Sequence, residues 1–422
     1  MKAKCLATER AYWLAWSSIK DVGPVTIKRL WERFGSLGKA WQATAGDLLS
    51  VDGIGLLTAE RITVQRSKLN PAEMLVQHEK ENQFFWTPAD RDYPALLFAI
   101  NDPPPVLYYR GSLRLNEMPN ALTVGIVGTR RPSNYGRRWT QRLSSQLTRQ
   151  GALIISGLAA GIDTVAHSSC LTQQGLTVAV LGTGVDVVYP HHNNDLHQQI
   201  ATTGLLVSEY PDGTGPDKTH FPQRNRIIAG LSRAILVTEA PARSGSLITS
   251  RLANDYCRDV YALPCNLENK QGEGCLNLIA QGAQMILGES ALIESLAAIP
   301  AVETVFPGQT AVVQTADQAA DQAADQSADL ADPDLLDLLA EKELPENNKA
   351  DGILATQSAP ELLLELPDLL QQVLRAVSIE PVMLDQIVQG SQLETGKVLG
   401  ALVQLELLGL VTQLPGMRYQ KG

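Results

Sequence analysis

Arginines that directly follow a glycine-rich turn are the first residues in the sequence whose chemistry suggests a ligand. The segment 125–136, GIVGTRRPSNYG, lies between an apolar run and a helix-like stretch. At such a strand-to-helix turn, backbone N–H groups and the helix dipole favour an anion. Arg130 and Arg131 stand in this turn, so we predict that they contact phosphate groups.

Positive charge continues beyond this turn. Between Met118 and Ile162 there are six arginines and no acidic residue, which indicates a path along which phosphates could lie. A solvated helix face explains some of these arginines equally well, Arg142 and Arg149 above all. The four arginines that follow the turn are Arg137, Arg138, Arg142 and Arg149.

A second segment, 216–226, reads PDKTHFPQRNR and combines cations with an aromatic ring. Interpreted as one loop, it suits a strand of nucleic acid, because the cations would hold phosphates and the ring would stack on a base. Arg224 or Arg226 could instead pair with Glu209 or Glu239 inside the fold. The candidate residues here are Lys218, Phe221, Arg224, Asn225 and Arg226.

A third segment, 242–253, reads ARSGSLITSRLA and places small polar residues at a helix start. Ser244, Gly245 and Ser246 could receive a phosphate there. They could equally cap the helix, although three in a row exceed what capping needs.

Two other groups of titratable residues are weaker candidates. Asp163 and His167 are four residues apart and share a helix face, but a capping aspartate and a packed histidine explain them better than a catalytic pair. His191, His192 and His197 have no recognisable metal-ligand spacing. We therefore predict no catalytic residue, no metal and no cofactor.

The elements that must position these residues form an α/β fold. From about residue 84, short apolar runs alternate with helix-like stretches, which predicts a parallel sheet covered on both faces. The runs are 122–128, 151–157, 176–182, 204–210, 233–240 and 258–264. The first turn is not GxGxxG, and the following strand carries no acidic residue for a ribose hydroxyl, so we reject an NAD site.

The segments that flank this sheet differ from it in composition and in their predicted structure. Residues 1–80 predict a helical domain in which Gly53 and Gly55, with Lys28, would contact DNA phosphates through a helix-hairpin-helix, or would only pack. Residues 298–364 predict an acidic linker, since 301–366 holds 14 acids and two bases. Residues 365–422 predict a winged helix with a two-stranded wing, in which Lys397 and Arg418 are the candidate DNA contacts and a protein-contact role is favoured.

Composition excludes several classes of protein. No run approaches the roughly 18 apolar residues of a membrane span, and no signal peptide begins the sequence. The five cysteines contain no CxxC pair, which suits a reducing cytosol. The net charge of −10 becomes +2 when the −12 of residues 301–366 is removed, so a nucleic-acid partner is compatible with the rest.

Residues 92–290 closely resemble the DNA-processing protein A (DprA, also called Smf) family. Cys265 departs from the pattern, because the family often has glycine after ALP. The matching motifs are DYPALLFAINDPPPVLYYRG (92–111), GIVGTRRPSNYG, SGLAAGIDTVAH, LGTGVDVVYP (181–190), SEYP (208–211), FPQRNRIIAGLS (221–232), EAPARSGSLIT (239–249) and NLIAQGA (277–283).

The resemblance implies an extended Rossmann domain, here 81–297, that binds and protects single-stranded DNA and helps to load the RecA recombinase in natural transformation. It implies a homodimer through that domain, for which the apolar segment 285–287 is our candidate face, and no catalytic activity. Gly128, Thr129 and Arg130 would bind phosphate, Lys218 and Phe221 would supply the cation and the stacking ring, and Asn225 and Arg226 would line the pocket.

Two other functions stay open at this point. A nucleotide-hydrolysing enzyme of the phosphoribohydrolase type would use similar glycine loops, and its turnover would depend on Glu239. A repair scaffold acting through the N-terminal hairpins would prefer duplexes or junctions and would lose binding on truncation before residue 80.

Overall fold

The structure is a computed structural model that describes residues 2–115, 121–299 and parts of the C-terminal region. The latter parts are 368–378, 382–391, 393, 397–398, 401–402, 405, 410–414 and 418–421. The chain divides into two compact units, Met1–Ala328 and Asp329–Gly422. The predicted linker, 298–364, lies outside the described residues from position 300 onward.

Six helices form the N-terminal helical block. Their bounds are α1 (Lys2–Ser17), α2 (Pro24–Phe34), α3 (Leu37–Gln42), α4 (Ala45–Leu48), α5 (Leu56–Arg66) and α6 (Pro71–Glu81). Trp13 and Trp16 of α1 are fully buried, and the Trp16 ring meets the Trp41 ring edge-on. Buried aromatic rings of this size give a small helical block most of its apolar core.

The block is followed by a sheet of nine strands. Their bounds are β1 (Phe85–Trp86), β2 (Leu107–Gly111), β3 (Thr123–Gly128), β4 (Leu153–Ser156), β5 (Thr177–Leu181), β6 (Leu205–Ser208), β7 (Ala234–Glu239), β8 (Asp259–Ala262) and β9 (Gln284–Met285). Their order across the sheet is β1-β2-β6-β5-β4-β3-β7-β8-β9. The seven strands from β6 to β9 in this order run parallel, whereas β1 and β2 join antiparallel at one edge.

Helices cover both faces of this sheet, as the continuous apolar runs predicted. Their bounds are α7 (Ala95–Phe98), α8 (Asn134–Arg149), α9 (Ile162–Thr172), α10 (Asn194–Thr203), α11 (His220–Leu231), α12 (Ser246–Asp255), α13 (Glu273–Ala280) and α14 (Glu289–Ala297). β4, β5, β6 and β7 are buried along their whole length. The predicted parallel α/β sheet is therefore confirmed.

The helical block and the sheet share one apolar core rather than two. Trp13 and Leu30 of the block belong to the same buried cluster as Val178 and Ile235 of the sheet. Trp31 of α2 also meets Phe98 of α7 edge-on, with 5.2 Å between the ring centroids. The block is consequently packed as part of the larger unit.

The C-terminal unit has the winged-helix elements that the sequence predicted. Its described elements are α15 (Asp368–Ala376), β10 (Val382–Met383), α16 (Leu384–Ser391), β11 (Val411–Leu414) and β12 (Arg418–Lys421). The wing differs from the prediction, because β10 pairs with β12 and makes a three-stranded sheet in the order β10-β12-β11. Most of the predicted third helix, 394–408, and the side chain of Arg418 lie outside the described residues.

None of the helices in the part of the chain that the structure describes combines the length and the apolar character needed to cross a membrane.

Candidate nucleic-acid interface

A cavity of about 630 Å³ opens beyond the carboxyl ends of β3 and β7. These two neighbouring strands mark the point where the strand order reverses, since β4 follows β3 on one side and β8 follows β7 on the other. A crevice at such a switch point is where open α/β sheets bind ligands. The segments 125–136, 216–226 and 242–253 supplied twelve candidate DNA-binding residues. Eleven of them line this cavity, and Arg226 does not.

The turn after β3 passes very close to its neighbours, which is why glycine is needed there. A Cβ at Gly128 would lie 2.6 Å from Ile162 Cγ1 and 2.7 Å from the Glu239 carbonyl oxygen. Thr129 N donates to that same oxygen at 2.7 Å, and Ile162 N donates to the Thr129 carbonyl at 3.2 Å. These bonds hold the turn in place and leave Arg130 exposed beyond it.

Glu239 fastens the far end of the same turn. Its carboxylate is buried and accepts from Ser133 N at 2.7 Å, from Ser133 Oγ at 2.6 Å and from Asn269 Nδ2 at 3.2 Å. Ser133 in turn caps α8 by accepting from Gly136 N. Glu239 is not among the residues that line the cavity, so its role in this geometry is to position the loop.

An aromatic ring stands among the cations of the cavity. The Arg130 guanidinium carbon lies 5.5 Å from the centroid of the Phe221 ring. The Tyr189 ring lies on another side, 5.4 Å from Phe221 between centroids and tilted by 31°. Lys218 is exposed nearby. Cations beside a partly exposed ring match what a nucleotide presents, since its phosphate is anionic and its base is flat.

The charge of the cavity strongly favours an anion. Among the described residues that line it, five are cationic and only Asp163 is acidic. Burial raises the pKa of Asp163 above its ordinary value, although Arg224 and Arg130 act against the rise. The five cations, supplied by several separate segments of the chain, are Arg130, Arg131, Lys218, Arg224 and Arg243.

The segment predicted as one loop at 216–226 is a helix from His220 onward. Both Arg224 and Arg226 are buried on this helix, and because they are two residues apart their side chains point in different directions. Arg224 Nη1 donates to the Gly157 carbonyl at 2.6 Å and also to the Val180 carbonyl, and burial lowers the Arg224 pKa to about 10. Arg224 thus lines the cavity and at the same time binds the backbone of Gly157, which follows β4, and of Val180 in β5.

Arg226 takes the internal alternative that the sequence left open. It forms an ion pair with Glu209 and donates to the Asp102 carbonyl at 2.7 Å. Its prediction as a lining residue was therefore wrong. The helical phase of α11, which the sequence reading missed, explains the error.

The start of α12 forms another wall of the cavity. Gly245 occupies the N-cap position without a capping side chain, and Asn225 Nδ2 donates to its carbonyl at 3.3 Å. Ser244 Oγ and Ser246 Oγ lie 2.7 Å apart and share a hydrogen bond. The positive end of the helix dipole therefore faces the same space as the cations.

Among the lining residues that the sequence analysis did not select, Arg243 and Tyr189 bring a further cation and a further ring to the cavity. Arg243 is exposed and directly precedes Ser244, so its position in the ARSGS segment could have identified it. Tyr189 follows β5 in the segment GVDVVYP, and no pattern in the sequence places its ring beside Phe221.

Asp163 and His167 support the fold and do not form a catalytic pair. Asp163 Oδ2 accepts from Gly157 N at 3.1 Å and from Ala159 N at 3.3 Å, so it holds the preceding loop rather than capping its own helix. His167 is fully buried, and its Nδ1 lies 2.7 Å from Thr177 Oγ1. Burial and the nearby Arg224 charge lower the His167 pKa to about 3.

Histidine ligands for a metal also do not converge. Across the described ranges, no group of three or more histidines, cysteines and acidic residues could hold a metal ion. His197 is buried, whereas His191 and His192 begin a 3-10 turn at the surface.

The N-terminal hairpin has the predicted backbone. Gly53 adopts a φ of +89° and Gly55 is the N-cap of α5. Lys28 donates to the Ile100 carbonyl at 2.7 Å and so joins the helical block to the segment after α7. This contact favours the packing role that the sequence left open for Lys28, and its contact with DNA phosphate stays a prediction.

The fold and the cavity define an α/β protein with a cationic crevice at the switch point of its sheet, and comparisons with known proteins identify its family. The family model described as DNA recombination-mediator protein A matches residues 84–297, and the DprA winged helix domain model matches residues 357–417. The chain therefore belongs to the DNA recombination-mediator protein A family.

Individual relatives extend the match over nearly the whole chain. Protein Smf of Synechocystis is 47% identical over 415 residues, which cover 98% of this chain and 99% of that protein. The DNA processing protein DprA of Streptococcus pneumoniae is 44% identical over 49% of this chain and 72% of its own length. The X-ray structure of the Streptococcus pneumoniae DprA superposes with a TM-score of 0.58 at 33% identity, covering 69% of this chain and 98% of that one.

Proposed function

We propose that this protein is a recombination mediator that binds single-stranded DNA in the cavity between β3 and β7. It protects incoming single strands in the cytoplasm and helps to load RecA on them during natural transformation. The observation that carries the proposal is the convergence of five cations, a helix N-terminus and the Phe221 ring on one cavity. Membership in the DNA recombination-mediator family supports the same function.

A single strand fits this arrangement better than a duplex does. Phe221 and Tyr189 are ring surfaces on which an unpaired base can stack, and bases within a duplex are already stacked on each other. The cations Arg130, Lys218 and Arg243 are exposed and carry no sequence code, because they address phosphates. Binding should therefore depend little on sequence and fall steeply with salt.

Eleven of the residues selected from the sequence form the proposed site. Arg130, Arg131 and Lys218 hold phosphates, Phe221 stacks on a base, and Arg224 supports the floor. The remaining members of the site are Gly128, Thr129, Asn225, Ser244, Gly245 and Ser246.

The family resemblance also supports a homodimer through the Rossmann domain. Met285 of the edge strand β9 is 46% exposed, and Leu287, two residues further on, is 79% exposed; we propose this edge as the dimer face. We keep the domain boundaries 1–80, 81–297, 298–364 and 365–422, with the winged helix as a protein-contact module.

The protein acts without catalysis in this proposal. The enzymatic alternative needs a carboxylate that can reach a bound nucleotide. The carboxylate oxygens of Glu239 instead accept hydrogen bonds from Ser133 and Asn269. No observation in the described residues favours that alternative over DNA binding.

Fluorescence anisotropy of a labelled oligo-dT and of a duplex of the same length, at two salt concentrations, tests the proposal. We expect tight, salt-sensitive binding of the single strand that free ATP and AMP do not displace. Weak DNA binding together with displacement by either nucleotide would contradict the proposal and would indicate an enzyme's phosphate site.

A further inference from the structure

A second polar groove lies on α8, outside the cavity. It has a volume of about 450 Å³, and its lining holds three arginines, three glutamines, one serine and a single acid, Glu289. We call it the α8 groove and define it by Arg138, Arg142 and Arg149. Guanidinium and amide groups in this number suit an extended ligand that carries negative charge.

The three arginines form a straight row. Positions 138, 142 and 149 follow helical spacing, so their side chains lie on one face of α8. Leu143 and Leu147 are buried on the opposite face and fix its orientation on the sheet. At ~1.5 Å per residue, the row from Arg138 to Arg149 is about 16 Å long.

The arginines of the groove keep weak partners that a phosphate could replace. Arg142 Nε pairs with Glu289 at 2.6 Å while its side chain is 52% exposed. Arg149 donates only to glutamine oxygens, Gln173 Oε1 and Gln146 Oε1, each at 3.0 Å. Exposed pairs of this kind contribute little to stability. The stability of the fold therefore does not explain why arginines stand at these positions.

The cavity turn and the helix that carries the groove are consecutive in the sequence. Arg130 and Arg131 are exposed in the turn that directly precedes α8, which begins at Asn134. Arg137 and Arg138 are exposed in its first turns. Between residues 121 and 162 the sequence has no acidic residue, and Glu289 is the one acid among the residues that line the groove.

We propose that a single strand of DNA leaves the cavity past Arg131 and continues along the α8 groove, with successive phosphates on Arg138, Arg142 and Arg149. This inference rests on the proposed function and adds a second part to the same binding site. Short strands should fill the cavity alone, whereas longer strands should also contact the groove.

Anisotropy with oligo-dT of about 4 and about 16 nucleotides, a range that spans known single-strand site sizes, separates the two parts. The test variant is Arg138→Ala with Arg149→Ala, which leaves the Arg142–Glu289 pair intact. The control is Arg110→Ala with Lys20→Ala, two exposed cations on strand β2 and in the helical block. Thermal unfolding verifies that both variants are folded.

We expect the groove variant to bind the long strand about fivefold more weakly, and its slope of log affinity against log salt to fall by about 1.4. Binding of the short strand should be unchanged, and the control should match the unmodified protein throughout. Equal binding of the long strand by the groove variant and the control would overturn the inference and leave the cavity proposal standing. If Arg130→Ala failed to weaken the short strand, the cavity proposal would fall, and the inference with it.

Discussion

Two glycine turns that lead into helices, one beside the cavity at 128–133 and one in the N-terminal hairpin at 53–55, look alike in sequence and differ in chemistry. At the hairpin, Arg29 Nη1 donates to the Asp52 carbonyl and pairs with Asp52 Oδ2, both at 3.0 Å. The helix that follows presents Leu56 and Leu57, which are 69% and 70% exposed. The hairpin thus offers an apolar surface and a cation that is already paired.

At the cavity, the turn is held by neutral backbone bonds and by Glu239, so its arginines are not needed to close it. Arg130 is free to lie over Phe221, and Lys218 and Arg243 approach from other segments. We infer that a glycine turn can bind phosphate when nearby cations are not used to hold the fold together. Backbone geometry alone is insufficient.

The largest expected difference between the two turns concerns stability. Gly128→Ala should lower the free energy of unfolding by about 2 kcal/mol, because the new methyl overlaps Ile162 and the Glu239 carbonyl. Gly55→Ala should cost less than about 0.5 kcal/mol, since nothing lies within 4 Å of its Cβ position. Urea unfolding measures both, and similar losses would break the comparison.

The next largest effect concerns affinity. Arg130→Glu, or Lys218→Glu, should weaken binding of oligo-dT at least tenfold, which is about 1.4 kcal/mol, because each change replaces a phosphate contact by a repulsive charge. Arg61→Glu makes the same change on the hairpin helix α5, where Arg61 pairs with Asp21, and should leave anisotropy curves unchanged. If Arg61→Glu weakened binding as much as Arg130→Glu, the hairpin would be part of the site.

A smaller effect should follow from removing the ring. Phe221→Leu keeps an apolar side chain against Gly182 but offers no flat face to a base, so affinity should fall by about 1 kcal/mol. The salt dependence should stay the same, because no phosphate contact is lost. Leu57→Ala in the hairpin is the matched apolar change, and an equal loss of affinity there would contradict a specific role for the ring.

The smallest expected effect is on the pH dependence of stability, and it concerns the buried residue His167. The folded-state pKa of His167 is about 3, below the unfolded value of about 6.5, so the unfolded chain binds a proton first as the pH falls. Stability is therefore lost as the pH falls from about 6.5 to 3. At pH 6, His167 has already lowered the free energy of unfolding by about 0.8 kcal/mol relative to high pH. Denaturant unfolding of His167→Asn should show a smaller loss between pH 8 and pH 6. Identical pH profiles would show that His167 is not buried in its neutral form.

Much of the fold could be read from the sequence because the strands are buried on both faces. Continuous apolar runs such as LTVGIVG and LTVAVLG are typical of strands in a parallel sheet that is covered on both faces. The cavity residues followed from the same pattern, since loops at the carboxyl ends of neighbouring strands meet at one edge.

What the sequence could not give is the direction of single side chains. Arg224 and Arg226 lie two residues apart, yet one joins the cavity floor and the other pairs with Glu209. The difference depends on where α11 begins, and helix boundaries are the least certain part of such a prediction. The packing contact of Lys28 was equally beyond the sequence, because its partner is a backbone carbonyl 72 residues away.

The most direct test of the central claim is photocrosslinking of an oligonucleotide containing 5-bromodeoxyuridine, followed by mass spectrometry of the crosslinked peptides. We predict that the crosslink falls on Phe221 or Tyr189, the rings beside Arg130. Crosslinks confined to the hairpin at 53–57 or to the wing at 411–421 would place the DNA elsewhere and contradict the account.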